Sequence, residues 1–68
     1  MSNNVYPSEY FLARRSIRNQ SKAGYAATRQ AECIAVMNLN AGRSTSSAIW
    51  EGMRYIQRLT RNYGGEAA

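Results

Sequence analysis

A chain of 68 residues holds one small domain, and its net charge of +5, eight arginines and one lysine against four glutamates, makes that domain basic. One cysteine and no histidine exclude an intramolecular disulfide and the usual Cys/His zinc site. With neither Asp nor His, the many Ser and Thr hydroxyls have no activating partner, so catalysis, a metal and a cofactor are all unexpected.

Residues 1–7 read as a polar, disordered tail ending at Pro7, with no basic-then-apolar leader. The longest apolar run, Cys33 to Met37, is far too short to cross a bilayer. The single cysteine fits a reducing compartment, and a cytoplasmic protein is expected. A helix is predicted from Ser8, as cap, to about Gln20, with Glu9 near the positive end of its dipole. Tyr10, Ala13 and Ile17 line one side, and Arg14, Arg15, Arg18 and Lys22 spread over another with Phe11 beside them. That arc reads either as a solvated surface or as a basic arm along phosphates.

Ser21-Lys22-Ala23-Gly24 is the weakest helical stretch, since glycine inside a helix costs about 1 kcal/mol against alanine. Residues 8–39 therefore form one helix, two helices, or a helix, a strand and a helix. From Ala26 to Leu39 the helical pattern returns. Ala27, Ala31, Ile34, Ala35 and Asn38 share one side, whose small residues let helices approach closely. Cys33, Val36, Met37 and Leu39 make the last two turns apolar nearly all round, which places them at the centre of a core. Cys33 then reads as a buried small residue, with a reactive thiol as the other reading. One such chain can hardly enclose that core, so a homodimer is expected. Its core residues would be Ile34, Met37, Ile49, Met53 and Ile56.

Asn40-Ala41-Gly42 breaks the chain, with Gly42 suited to the left-handed conformation that closes a helix. Any of Ser44 to Ser47 can cap the helix that follows. That helix runs to about Asn62, with Gly64-Gly65 as its stop. At about 100° per residue, Ile49, Gly52, Met53, Ile56, Leu59, Thr60 and Tyr63 share one face. Trp50, Arg54, Gln57, Arg58 and Arg61 share a neighbouring one, cationic with one aromatic. Trp50 either packs on a partner or stacks on a base or sugar. The domain thus spans 8–63, and 64–68 form a second disordered tail.

The run Gly42-Arg43-Ser44-x-Ser46-Ser47-x-Ile49-x-x-Gly52-Met53-x-x-Ile56 resembles the loop and second helix of ribbon-helix-helix DNA-binding proteins, the class of the Arc and Mnt repressors. The resemblance covers about fifteen residues. It implies a mainly α dimer with interlocked helices, here with an extra N-terminal helix. It further implies phosphate anchors at Arg43, Ser44 and Thr45, and base contacts from a strand near residues 21–26, at Lys22 and Tyr25. That segment departs from the pattern, offering only Tyr25 as a strand former. The alternative fold is an all-α hairpin or bundle of two or three helices without a strand.

Two functions follow. The first is a dimeric transcriptional regulator on duplex DNA, with Arg54, Arg58 and Arg61 adding non-specific attraction. The second is a small phage- or plasmid-type helical protein that docks on a host or virion protein, with Trp50 and its arginines as hot spots.

Overall fold

The computed structural model describes residues 6–61. Three helices, α1 (Pro7–Gln20), α2 (Tyr25–Asn40) and α3 (Thr45–Leu59), make it mainly α, and the described residues contain no strand. Of the tail expected at 1–7, residues 1–5 lie outside the described residues, and Pro7 belongs to α1; the tail expected at 64–68, with Tyr63 and the Gly64-Gly65 stop, also lies outside them.

Pro7 occupies the first turn of α1, where its missing N–H leaves no helix bond unmade. The cap position is the extended Tyr6, which supplies no side-chain bond, so Ser8 lies inside the helix and is not its cap. Ser21 ends α1 in an extended conformation, with its N–H on the Ile17 carbonyl. The four residues 21–24 are a tight connection and not a ribbon. The Ser21 hydroxyl accepts from the Ala23 N–H and lies 2.7 Å from the Thr28 hydroxyl, which fastens the loop to the first turn of α2. Tyr25, the one strand former there, is already the first residue of α2. The expected strand over residues 21–26 is thus corrected: side-chain hydroxyls take up local backbone groups that a strand would have needed to offer a second chain.

α2 closes on Gly42, whose φ of 91° lies in the left-handed region. The Arg43 N–H reaches the Asn38 carbonyl at 3.0 Å and the Gly42 N–H the Leu39 carbonyl at 2.9 Å, the two bonds of a Schellman close. Ser44 is the cap of α3, its hydroxyl oxygen accepting from the Ser47 N–H at 3.1 Å.

Cross-helix contacts give the directions. Glu9 and Tyr10 of α1 meet Thr45 and Asn40, whereas Arg18 meets Glu32 and Ser21 meets Thr28. α1 and α3 therefore run together, with α2 antiparallel to both. The buried core is Ala13 and Ile17 of α1, Ala31, Ala35 and Leu39 of α2, and Ala48 and Ile56 of α3, with Ile49, Met53 and Tyr55 packed against it. Four of those seven are alanines, and the seam is correspondingly tight. A Cβ on Gly52 would stand 2.6 Å from Ile17 Cδ1 and 2.8 Å from the Ala31 carbonyl oxygen. Only glycine lets the three helices meet there.

Two core expectations are corrected. Met37 is 67% exposed and Cys33 is exposed, because the alanine side of α2 faces its neighbours and the bulkier side does not. Of the five residues expected in a dimer core, Ile56 is buried within its own chain, while Ile34, Ile49 and Met53 are half-buried.

Glu32 is the one buried charged residue among those described, at 3% exposure. Arg14 Nε donates to its Oε1 at 3.2 Å and Arg18 Nε to its Oε2 at 2.9 Å. Burial alone would push this carboxyl up. The hydrogen bonds and charges of Arg18 and Arg14 outweigh it and hold Glu32 below the ordinary range. The Arg18 guanidinium is raised in turn, chiefly by its hydrogen bond to Glu32.

Candidate nucleic-acid interface

Arg54 and Arg58 stand at i and i+4 on α3, at about 1.5 Å rise per residue a step near 6 Å, and Arg61 follows two residues past the end of the helix, continuing the stripe. All three are exposed, and with Gln57 they line one shallow concavity. The two ion pairs found among the described residues both belong to Glu32; no described carboxylate pairs with this stripe. Arg58 sits in the last turn of α3 and Arg61 just past it, where the helix dipole favours positive charge without neutralising it.

Trp50 begins the stripe. It is 58% exposed, and the Arg54 guanidinium lies 5.1 Å from its ring centroid, within cation–π range. On the helix circumference Trp50 stands between the arginines and the half-buried Ile49 and Met53. On that second side a cleft is lined by Trp50, Ile49, Met53, Ser46 and Gln57 of α3 and Gln20 of α1. A neighbouring groove, lined by Gln20, Met53, Ile56, Gln57 and Thr60, brings Lys22 and Arg61 to one place. Lys22, expected on a strand, thus joins the α3 surface from the loop after α1.

Tyr25 does not join it. It opens α2, its hydroxyl accepting from Arg29 at 2.7 Å and its ring 5.6 Å from the same guanidinium. With no strand to carry them, Lys22 and Tyr25 share no ribbon, and their placement for base reading is corrected on that ground. The turn before α3 is partly occupied. The Ser44 hydroxyl accepts from the helix backbone, the Arg43 N–H is spent on α2, and the Thr45 hydroxyl donates to the Glu9 carboxylate at 3.4 Å. The chain's own anion faces the spot where a phosphate was expected. The Arg43 side chain remains exposed.

Ser46, expected only as a possible cap and part of the turn, and Gln20, expected only as a helix end, both line the cleft. Ser46 is visible in principle, one turn before Trp50 in the same sector of the helix. Gln20 comes from another helix, and nothing local in the sequence points to it.

No family model, curated protein sequence or solved structure matches this chain. No helix among the described residues is long and apolar enough to cross a membrane.

Proposed function

We propose that this chain is a small nucleic-acid-binding protein that lays the outer flank of α3 along a phosphate backbone. The observation that carries this reading is the stripe of Arg54, Arg58 and Arg61, unpaired with any described carboxylate and adjoining an exposed tryptophan. Guanidinium forks suit phosphate oxygens, and each phosphate engaged releases counterions. A dimeric transcriptional regulator is the fuller form of the proposal. In it Arg43 is a further phosphate anchor at the turn, and α3 replaces the missing ribbon as the element offered to the nucleic acid, since a helix fits a major groove.

The test is binding of a labelled oligonucleotide across a salt series. Three phosphate contacts give a slope of log K on log salt of about −2 to −3. Arg43→Ala is expected to weaken all sequences alike, as a backbone contact should. A flat salt response, or no binding at micromolar protein, counts against the proposal.

A second reading is favoured by a separate observation: Phe11, Leu12 and Met37 are all more than half exposed. A helical module that docks on another protein, or on a second copy of itself, would cover such residues. Under it, capture of a partner survives nuclease treatment and is lost in Trp50→Ala. Sedimentation decides the homodimer separately.

A further inference from the structure

The α3 stripe supports phosphate contact of any kind, but the cleft on the other side of Trp50 is more selective. We infer that this cleft is a nucleobase-stacking site, so that the nucleic acid taken by this protein is single-stranded. The inference rests on the phosphate-binding part of the reading just given, adds the substrate class, and stands against that reading's duplex-regulator form.

Trp50 offers a broad, solvent-facing ring beside a cleft whose wall and floor include the half-buried Ile49 and Met53. Base–aromatic stacking needs such a ring, and a base already stacked within a duplex has no face free to meet it. The cleft's polar groups are the amides of Gln20 and Gln57 and the hydroxyl of Ser46. Each carries both a donor and an acceptor, so together they satisfy the edge of any base without selecting one. Arg54 lies over the Trp50 ring and also begins the phosphate stripe. It couples the two halves of a nucleotide site, a base on one side of the ring and the flanking phosphates on the other. Arg58 and Arg61 continue that track, and Lys22 stands beside Arg61 at its far end. An acidic peptide would also meet the arginines. A ring under a guanidinium, beside a cleft lined by two side-chain amides, favours a base over an aliphatic anchor.

Trp50 is the only tryptophan in the chain, so its fluorescence reports the cleft directly. The full chain is titrated with three probes of equal length: a twelve-nucleotide oligo(dT), its abasic counterpart with the same phosphates, and the oligo(dT)·oligo(dA) duplex. Oligo(dT) is expected to quench Trp50 and to bind about tenfold or more tighter than the abasic strand, the usual worth of one stacked base. By anisotropy of labelled strands, Trp50→Ala should remove that advantage, so that the variant binds oligo(dT) no tighter than the abasic strand. Trp50→Phe should keep part of it, which controls for any loss of fold in the alanine variant. Equal binding of oligo(dT) and the abasic strand would overturn the base site while leaving phosphate binding standing. So would a duplex bound as tightly as the single strand. Failure of all three probes at low salt would remove the underlying reading as well. A glutamate-rich amphipathic peptide that quenches Trp50 as strongly as oligo(dT) would assign the cleft to a protein partner instead.

Discussion

Arg14 and Arg18 on α1, and Arg54 and Arg58 on α3 with Arg61 just past its end, are the same residue type on two helices that run side by side, in opposite circumstances. The first two converge on Glu32, and their charge is spent on holding α1 against α2. The other three meet no described carboxylate and stand beside an exposed aromatic ring. Net charge counts both sets alike, yet only the second is positioned for an external anion. A basic composition is therefore a poor guide to a binding face until the buried carboxylates have been found. Here a single one, inside the molecule, separates a brace from a contact surface.

The largest expected effect tests the frame that carries both sets. Gly52→Leu places a side chain where even a methyl group meets Ile17 and the Ala31 backbone, and should cost about 3 kcal/mol or more. A denaturant midpoint close to that of the parent would mean the seam is looser than the contacts show. Next is the brace. Glu32→Ala should cost about 1–3 kcal/mol, at the lower end for a buried pair because both freed guanidinium groups are about half exposed to water. It should leave polyanion binding intact or strengthen it, because two cations are released. Weaker binding would show that Arg14 and Arg18 serve the contact surface after all.

Acid sharpens the same contrast. Because the folded state holds Glu32 below its ordinary value of 4.5, its contribution is fully present above that pH. That contribution is lost as pH falls through the lowered folded value. Denaturant midpoints should decline in this acidic window and decline less in Glu32→Gln. Identical slopes in the two proteins would remove Glu32 as the cause. The smallest effects on stability belong to the outer flank. Arg58→Ala should change stability by no more than about 0.5 kcal/mol, yet lower the salt slope of binding by about one. Met37→Lys should be equally mild in a lone chain, since that side chain is 67% exposed. A large loss of stability there would reveal a second molecule covering α2.

The sequence is most readable where local rules suffice. Gly42 and the Ile49, Gly52, Met53 and Ile56 face of α3 follow from spacing and backbone chemistry and stand where that reasoning puts them, while the cap, open among Ser44 to Ser47, is Ser44. The weak stretch around Gly24 was visible as a break, although Ser21 and Thr28 make it a loop. α2 was legible as a helix with a small-residue side, but its bulkier residues were assigned to the core. Burial normally favours volume, which points to Met37 and Cys33. The actual core gains by close approach, which selects Ala31 and Ala35 and turns Met37 and Cys33 outward, while Leu39 is buried as its volume suggests. Glu32 left a fainter trace: a lone glutamate between Ala31 and Cys33, with two arginines spaced i, i+4 on another helix. Its partners are 14 and 18 residues away, beyond the reach of any periodicity. The candidate cleft has the same obstacle, since Gln20 and Trp50 meet only through packing.

The missing side chain at Gly52 sets the angular aim of α3. With a backbone carbonyl pressed against its rear, that helix cannot roll about its long axis without a collision, so Trp50 and the arginines on the front keep a fixed bearing. A hydrogen atom at the back works as a detent for the working edge. Substitutions at 52 that the fold survives should therefore be felt first as lost register between ring and guanidinium groups.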